Sequence, residues 1–294
     1  MIAQRLNTGE EKCLYWLASY PKSGNTFLRI LLSNYFSPTN EPIHINNISM
    51  HDQLNLRKHF EEFLGVSLDE ISDELKNELR PDFSLWLSQQ QKYSPSFCKV
   101  HNQFRFSGEE NAVFSHGISK GIVYLIRHPA DVALSYAHHM NKSVDETISI
   151  MNNEQAFIES DRNPNKLDQF VGSWSQHVLC WSNQTEAPIK ILKYENIKNN
   201  TQSSLEQLLN FLDIQCDAER LRKAVRFSDL DTSQKQEENG GYKYKYPGAK
   251  SFFGRTKSDA ILITPAQYAQ IVENHEEVMT AFNYTTNYNS YIQQ

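Results

Sequence analysis

The sequence predicts an α/β protein with a P-loop-like parallel β-sheet of about five strands flanked by helices. Short runs rich in apolar and β-branched residues, at residues 14–19, 97–101, 122–126 and 188–194, have the length and composition of buried parallel strands. Longer stretches with apolar residues at helical spacing separate them. Because such alternation favours a doubly wound sheet, we expect functional groups at the carboxyl ends of these strands.

The chain length is compatible with one large domain. The 294 residues contain no Pro/Gly/Ser-rich linker and no repeat, so we expect a single domain over residues 1–294 with a helical insertion at about residues 44–91. An apolar fraction of 39%, with 12% aromatic residues, is enough for a sizeable core. A polar, Gly- and Tyr-rich stretch at about residues 233–250 is predicted to be a mobile loop.

Charge and cysteine usage exclude some classes of protein. The net charge of −6 argues against binding nucleic acid by bulk electrostatics. The four cysteines are scattered and form no C-x-x-C pair typical of a zinc or dithiol site. The first residues lack an apolar leader, and no stretch approaches the length of a membrane span. We therefore expect a cytoplasmic protein with no nucleic-acid partner and no membrane partner.

The first strand leads into a tight loop and a helix that form a candidate anion site. Residues 14–19 are followed by Tyr-Pro-Lys-Ser-Gly-Asn-Thr, and apolar residues at helical spacing continue to residue 36. Backbone N–H groups at the positive end of this helix can hold an anion, and the lysine adds charge. The residues concerned are Lys22, Ser23, Gly24, Asn25 and Thr26.

This loop differs from the usual phosphate-binding loop of ATP and GTP enzymes. The pattern G-x-x-x-x-G-K-S/T is absent, because no glycine precedes the lysine and Lys22 stands before Gly24. An ordinary ATP or GTP site is therefore disfavoured. A strand-to-helix turn with an exposed lysine remains the alternative for this stretch alone.

Two further strand ends carry candidate functional residues. The second strand ends in His101, and Lys99 precedes it on the same face. The third strand is followed by Arg127, by a proline suited to the first turn of a helix, and by Ser135 two turns along that helix. Because arginine presents a planar fork of donors that suits a phosphate, and a serine hydroxyl can complete the shell, we predict a second anion site.

The residue patterns of these three segments resemble those of the sulfotransferases that use 3'-phosphoadenosine 5'-phosphosulfate (PAPS). The loop Tyr20-Pro-Lys-Ser-Gly-Asn-Thr-Phe27 resembles their phosphosulfate-binding loop. Lys99-Val-His101 resembles their Lys-x-His segment, and the stretch from Arg127 to Ser135 resembles their Arg-x-Pro-x-Asp-x-x-x-Ser segment. The resemblance extends over residues 14–259 and implies the sulfotransferase fold.

The resemblance implies a role for each of these residues. His101 would be the general base, since the pKa of histidine lies close to working pH. Lys22 would neutralise charge on the bridging and 5'-phosphate oxygens, with help from the backbone N–H groups of the loop. Lys99 would reach the sulfuryl oxygens, and Arg127 and Ser135 would hold the 3'-phosphate.

The resemblance also implies contacts to adenine and a closing loop. Phe27 would stack on the adenine, Tyr194 would contact its edge, and Phe227 is a further candidate for an adenine contact. Arg255 and Lys257 would supply charge in a loop over the 3'-phosphate, where the Arg-Lys-Gly triplet, the second Gly and the Trp of relatives are missing.

A helix predicted over residues 167–181 carries one histidine between aromatic residues. It resembles the Gly-Ser-Trp-x-x-His-Val helix of the same family. That resemblance implies that Trp174 and His177 are packing residues that position the sheet.

The predicted function is transfer of a sulfuryl group from PAPS to a hydroxyl of a small molecule, such as a phenol, a sterol or a specialised metabolite, with release of 3',5'-ADP. No carboxylate cluster resembles a Mg²⁺ site, so no metal is expected. A P-loop small-molecule or nucleotide kinase and a non-catalytic nucleotide-binding relative are the alternatives. The sequence is also compatible with a homodimer.

Overall fold

The computed structural model describes residues 14–91, 95–107, 111–114, 117–158, 164–245, 249, 251–253 and 262–293. Its strands are β1 (Leu14–Ser19), β2 (Ser96–Val100), β3 (Phe106–Ser107), β4 (Asn111–Ala112), β5 (Ser119–Ile126), β6 (Phe157–Ile158), β7 (Gln169–Phe170) and β8 (Ile189–Lys193). The central sheet has the order β2-β1-β5-β8, and each neighbouring pair is parallel. Two short antiparallel pairs, β3–β4 and β6–β7, lie outside it.

The helices are α1 (Asn25–Phe36), α2 (Arg57–Leu64), α3 (Asp73–Glu78), α4 (Arg80–Gln89), α5 (Pro129–Met140), α6 (Val144–Asn152), α7 (Trp174–Ser182), α8 (Tyr194–Asn199), α9 (Thr201–Phe211), α10 (Ala218–Phe227), α11 (Leu230–Gly240), α12 (Pro265–Ala281) and α13 (Tyr288–Tyr291). The predicted α/β class with a parallel sheet and flanking helices is confirmed. The central sheet has four strands in the described ranges, instead of about five.

The central strands are buried on both faces, as the parallel arrangement requires. All residues of β1 are buried, and successive side chains point into opposite cores. Trp16 belongs to a core formed with α5, α7 and α12, whereas Leu17 belongs to a core formed with α1, α9 and α10. The sheet is therefore a rigid platform whose strand ends are held from both sides.

The stretch expected to be a mobile loop from residue 233 is helical over its first half. Helix α11 runs to Gly240, and the Asp229 side chain caps its start by accepting the Thr232 N–H at 2.6 Å. Its composition is polar, yet Ser233 and Glu237 are buried. The polar composition led to the wrong prediction of a loop, because the buried face of this helix makes hydrogen bonds and not only apolar contacts.

The helix predicted over residues 167–181 begins later than expected. The chain first pairs as β7, and helix α7 starts at Trp174 after Ser173, whose hydroxyl accepts the Gln176 N–H at 3.3 Å. The insertion at residues 44–91 contains α2, α3 and α4, with one short 3₁₀ turn before α2 and another between α2 and α3. In the described part of the chain, no helix has both the length and the apolar character needed to cross a bilayer.

Candidate active site

An open cavity of about 1870 Å³ is lined by the residues that follow the four parallel strands. Lys22 follows β1, His101 follows β2, Arg127 follows β5 and Tyr194 follows β8. The cavity therefore lies where a doubly wound sheet collects its functional groups. Further predicted residues that line the same cavity are Gly24, Asn25, Thr26, Phe27, Lys99 and Ser135.

Of the four remaining predicted residues, the two that the structure describes do not line the cavity. Ser23 is fully buried, and its backbone N–H donates to the Tyr20 carbonyl at 3.3 Å, so this N–H faces the loop instead of the cavity. Phe227 does not line the cavity, and the Arg226 guanidinium lies 4.5 Å from its ring centre. The other two, Arg255 and Lys257, lie outside the described residues.

The loop after β1 needs a left-handed backbone at Gly24. Its φ of +99° is a conformation that glycine adopts easily, and a Cβ built there would lie 2.3 Å from Tyr194 Cδ2. The backbone hydrogen bond at the start of the helix runs from the Leu28 N–H to the Gly24 carbonyl. The N–H groups of the first turn, which precede Leu28, therefore have no acceptors inside the helix. These N–H groups, beside the partly exposed Lys22, suit an anion.

The Asn25 side chain fastens this loop to the strand that precedes it. Its Nδ2 donates to the Leu17 carbonyl at 2.9 Å and to Ser19 Oγ at 3.3 Å. The residue is buried. Asn25 therefore supports the loop with its side chain and offers only its backbone N–H to a ligand.

Arg127 connects the two predicted anion sites. Its Nη1 donates to the Lys22 carbonyl at 3.1 Å, and its guanidinium carbon lies 4.5 Å from the Tyr194 ring centre. Its buried Nε has no hydrogen-bond partner among the described residues. Arg127 also lines the cavity, and the planar fork of donors of a guanidinium suits a phosphate.

His101 is held by the end of the first strand. Its Nδ1 lies 2.8 Å from the Ser19 carbonyl oxygen and 3.2 Å from Ser19 Oγ. Because a carbonyl oxygen only accepts, the Nδ1 carries the proton and Nε2 keeps its lone pair. Burial, followed by the charge of Lys99, holds the pKa of His101 well below its usual range. The imidazole is therefore a neutral base at physiological pH.

A second histidine supports the backbone of the first. His177 is fully buried on α7, and its Nε2 donates to the His101 carbonyl at 3.1 Å. Its Nδ1 accepts from the Tyr124 hydroxyl at 2.8 Å. Both ring nitrogens are thus occupied by protein groups, which agrees with the packing role expected for this residue.

Lys99 belongs to a buried ion cluster that sequence reasoning missed. Its Nζ lies 3.9 Å from Asp52 Oδ2, and Lys166 Nζ lies 3.2 Å from the same oxygen. Burial lowers the pKa of Lys99 to about 8 against the opposing effect of Asp52. No local pattern marks Asp52 or Lys166 in the sequence, because both come from segments without a motif.

A short aromatic segment covers Lys22 and was also missed. Lys22 Nζ lies 3.9 Å from the centre of the Phe252 ring. The two carboxylate oxygens of Glu237 accept the backbone N–H groups of Phe252 at 2.7 Å and Phe253 at 2.9 Å. Helix α11 therefore fixes this segment next to the first anion loop.

The described residues include no group of three or more His, Cys, Asp or Glu side chains that could hold a metal ion. The cationic and hydrogen-bond donor groups on the cavity suit anionic oxygens instead. Fold and site together define an α/β protein with two neighbouring groups of cationic and hydrogen-bond donor residues, and a neutral histidine, at the carboxyl edge of its sheet.

The chain belongs to the sulfotransferase family. Residues 14–255 match the family's Sulfotransferase domain, so the match spans well over half of the chain. The resemblance seen in the sequence is thereby confirmed.

Curated relatives are similar at modest identity. Mouse Sulfotransferase 4A1 is 28% identical over 211 residues, which cover 71% of this chain and 63% of that protein. Cytosolic sulfotransferase 15 of Arabidopsis thaliana is 29% identical over 220 residues, covering 71% of this chain and 54% of that protein. The matched region thus spans less than two thirds of the length of these relatives.

Solved structures show the same fold. The structure of mouse sulfotransferase SULT7A1 complexed with PAP has a TM-score of 0.56 at 17% identity and covers 92% of this chain and 84% of that chain. Retinol dehydratase in complex with androsterone and inactive cofactor PAP has a TM-score of 0.58 at 16% identity, covering 93% of this chain and 82% of that chain. At these identities the likeness is one of fold.

Proposed function

We propose that the protein transfers a sulfuryl group from PAPS to a hydroxyl group of a small-molecule acceptor and releases 3',5'-ADP. The observation that carries this proposal is that Lys22, His101, Arg127 and Ser135, which come from three strand ends, line one cavity. Membership of the sulfotransferase family supports the same reaction. When bound, PAPS supplies the sulfuryl group and the phosphate leaving group.

The two anion sites suit the two anionic ends of this donor. The first turn of α1 and Lys22 are proposed to bind the phosphosulfate, because their backbone donors and ammonium group converge at a helix start. Arg127 and Ser135 are proposed to bind the 3'-phosphate through charge-assisted hydrogen bonds. The hydrogen bond from Arg127 to the Lys22 carbonyl keeps the two sites at a fixed separation.

Aromatic groups between these sites are proposed to bind the adenine. The rings of Phe27 and Tyr194 meet edge to face with centres 6.3 Å apart, and both line the cavity. Tyr194 is held from one side by the Arg127 guanidinium and from the other by the Gly24 backbone. This packing preorganises the ring before a nucleotide arrives.

His101 is the proposed general base. Its Nε2 lone pair would accept the proton of the acceptor hydroxyl, while Ser19 holds the ring through Nδ1. Lys99, two residues earlier and also on the cavity, would stabilise charge on the transferring group. The lowered pKa of His101 keeps this base unprotonated near neutral pH.

Ligand binding and group transfer test the proposal separately. Binding of 3',5'-ADP should raise the melting temperature and Mg-ATP should not, because a ligand at about 100 times its Kd stabilises the native state by about 2.7 kcal/mol. Radiolabelled PAPS with a panel of phenols and sterols should then give labelled products. Stabilisation by Mg-ATP alone would support a kinase, and binding of 3',5'-ADP without transfer to any acceptor would support a non-catalytic relative.

Three expectations from the sequence remain predictions of this proposal. The single domain over residues 1–294 and the cytoplasmic location are two of them. Assembly as a homodimer is the third, and light scattering of the purified chain would decide it.

A further inference from the structure

One wall of the cavity beside His101, which we call the basic wall, is formed by Arg29, Lys99, Lys166 and Asp52. All four residues line the cavity. Among the described residues, Asp52 is the one carboxylate within 4.0 Å of any of the three cations. The basic wall therefore holds three positive groups and one negative group.

Asp52 has little capacity left to neutralise more charge. Its Oδ2 lies 3.2 Å from Lys166 Nζ and 3.9 Å from Lys99 Nζ. Its Oδ1 accepts from Asn55 Nδ2 at 2.8 Å. The carboxylate is buried, and its pKa lies below the usual value because the two lysines and Asn55 outweigh the effect of burial. Asp52 thus stays ionised and offsets one lysine.

Arg29 is the cation of the basic wall that forms no ion pair with Asp52 within 4.0 Å. Burial lowers the pKa of Arg29, and the more distant charge of Asp52 opposes this only in part. The side chain of Arg29 is 5% exposed, and both Nε and Nη2 donate to the Ser49 carbonyl, at 3.2 and 3.1 Å. Nη2 also lies 3.4 Å from His51 Nδ1. Burial and the charge of Arg29 lower the pKa of His51, so this neighbour is neutral and does not compensate the guanidinium. A carbonyl oxygen supplies a hydrogen bond but no counter-charge.

Buried cations are costly unless an anion pairs with them. In the proposed function, on which this inference rests, Lys99 faces the sulfuryl group and Asp52 offsets Lys166. Among the described residues, no carboxylate then lies within 4.0 Å of Arg29 once the donor is accounted for. A negative group on the other substrate would supply the counter-charge.

A second group of lining residues, which we call the apolar wall, has apolar side chains. It consists of Tyr136, Met140, Ile150, Ala156, Phe157 and Ile158. Phe157 is 49% exposed and packs edge to face on Phe170 with ring centres 5.0 Å apart. This wall suits a hydrocarbon or aromatic body, so the cavity combines an apolar surface with a cationic one.

We infer that the acceptor is an amphipathic hydroxyl compound with its own carboxylate, which binds Arg29 and Lys166 while its body packs on the apolar wall and its hydroxyl faces His101. A neutral phenol or sterol would leave the basic wall unpaired. The class of acceptor is therefore a hydroxylated organic acid.

Matched acceptors that differ in one charge test this inference. Two suitable pairs are 3-(4-hydroxyphenyl)propanoate with 3-(4-hydroxyphenyl)propanamide, and a hydroxysteroid carboxylate with its amide. For at least one pair, kcat/KM with PAPS should be about ten-fold or more higher for the acid, as expected for a charge-assisted contact. Calorimetry with 3',5'-ADP bound gives the same comparison without turnover.

Variants assign the preference to the basic wall. Arg29→Met should bring the acid-to-amide ratio close to one, whereas Arg29→Lys should keep it. Lys142→Met is the matched control, because Lys142 also lines the cavity but pairs with Glu146 at 3.7 Å. Any loss of catalysis through Lys99 would affect acid and amide alike and cancels in the ratio.

Two results would overturn the inference. One is a wild-type protein that uses and binds both amides as well as the acids. The other is an acid preference that Arg29→Met leaves unchanged. Failure of the proposed function looks different, because 3',5'-ADP would then neither bind nor raise the melting temperature.

Discussion

Replacing Gly24 with alanine should damage the site through two separable effects. The first is backbone strain, because φ at this residue is +99°. The second is a collision, because the new Cβ would lie 2.3 Å from Tyr194 Cδ2 and 3.0 Å from Cε2. The ring cannot retreat freely, since the Arg127 guanidinium lies 4.5 Å from its centre.

The two effects have different magnitudes and different consequences. A left-handed backbone costs a residue with a Cβ about 1–2 kcal/mol, and overpacking costs a further 1–3 kcal/mol or so. Displacement of Tyr194 would also weaken its contact with Arg127, worth about 0.5–2 kcal/mol. We therefore expect a loss of about 2–5 kcal/mol in the free energy of unfolding and about ten-fold weaker binding of 3',5'-ADP.

Gly65→Ala separates strain from collision. Gly65 has a φ of +76° at the end of α2, and a Cβ there would meet nothing within 4 Å. Differential scanning calorimetry should show a smaller loss of stability for this variant, and isothermal titration should show wild-type affinity for 3',5'-ADP. If Gly24→Ala bound the nucleotide as tightly as Gly65→Ala, the close approach of the loop to Tyr194 would be irrelevant to the nucleotide site.

Four other perturbations test single groups. His101→Ala should lower kcat by about 10²-fold or more with 3',5'-ADP affinity nearly unchanged; a loss of only a few-fold would remove His101 as the base. Because burial lowers the pKa of His101, the wild-type rate should persist below pH 6.5. Because the pKa of Lys99 is about 8, the rate should fall above pH 8 or so as the ammonium group of Lys99 loses its proton. A rate profile that is flat through pH 8, or a Lys99→Met variant that keeps the alkaline fall, would contradict the second assignment. Arg127→Ala should weaken 3',5'-ADP binding by about 1.5–3 kcal/mol, measured by calorimetry, and unchanged affinity would exclude it from the donor site. Glu237→Gln keeps the size of the side chain but leaves one acceptor oxygen for the backbone N–H groups of Phe252 and Phe253. KM for PAPS should therefore rise several-fold with a smaller change in kcat. An unchanged KM would contradict the role of Glu237 in holding the aromatic segment over Lys22.

The features that the sequence predicted best are those encoded within about twenty consecutive residues. The strand, loop and helix around Lys22 could be read from local composition, as could the turn at Arg127 and the helix start after it. Both depend on backbone geometry that neighbouring residues determine. The extent of α11 was missed because Glu237 finds its hydrogen-bond partners fifteen and sixteen residues further along the chain.

The proposed donor half and the proposed acceptor half of the cavity are encoded differently, which explains why the sequence alone predicts a reaction but no particular acceptor. The proposed donor half is made of residues that follow the parallel strands. For these residues, the order of the strands along the chain determines which of them lie together. The proposed acceptor half brings Arg29, Asp52 and Lys166 together from distant segments. Asp52 and Lys166, for example, lie 114 residues apart in the sequence. Each of these side chains, taken singly in the sequence, is an ordinary surface charge. Only the folded chain shows that they line one cavity with an excess of positive charge and that Arg29 and Asp52 are buried there. We infer that this excess serves to bind the acceptor.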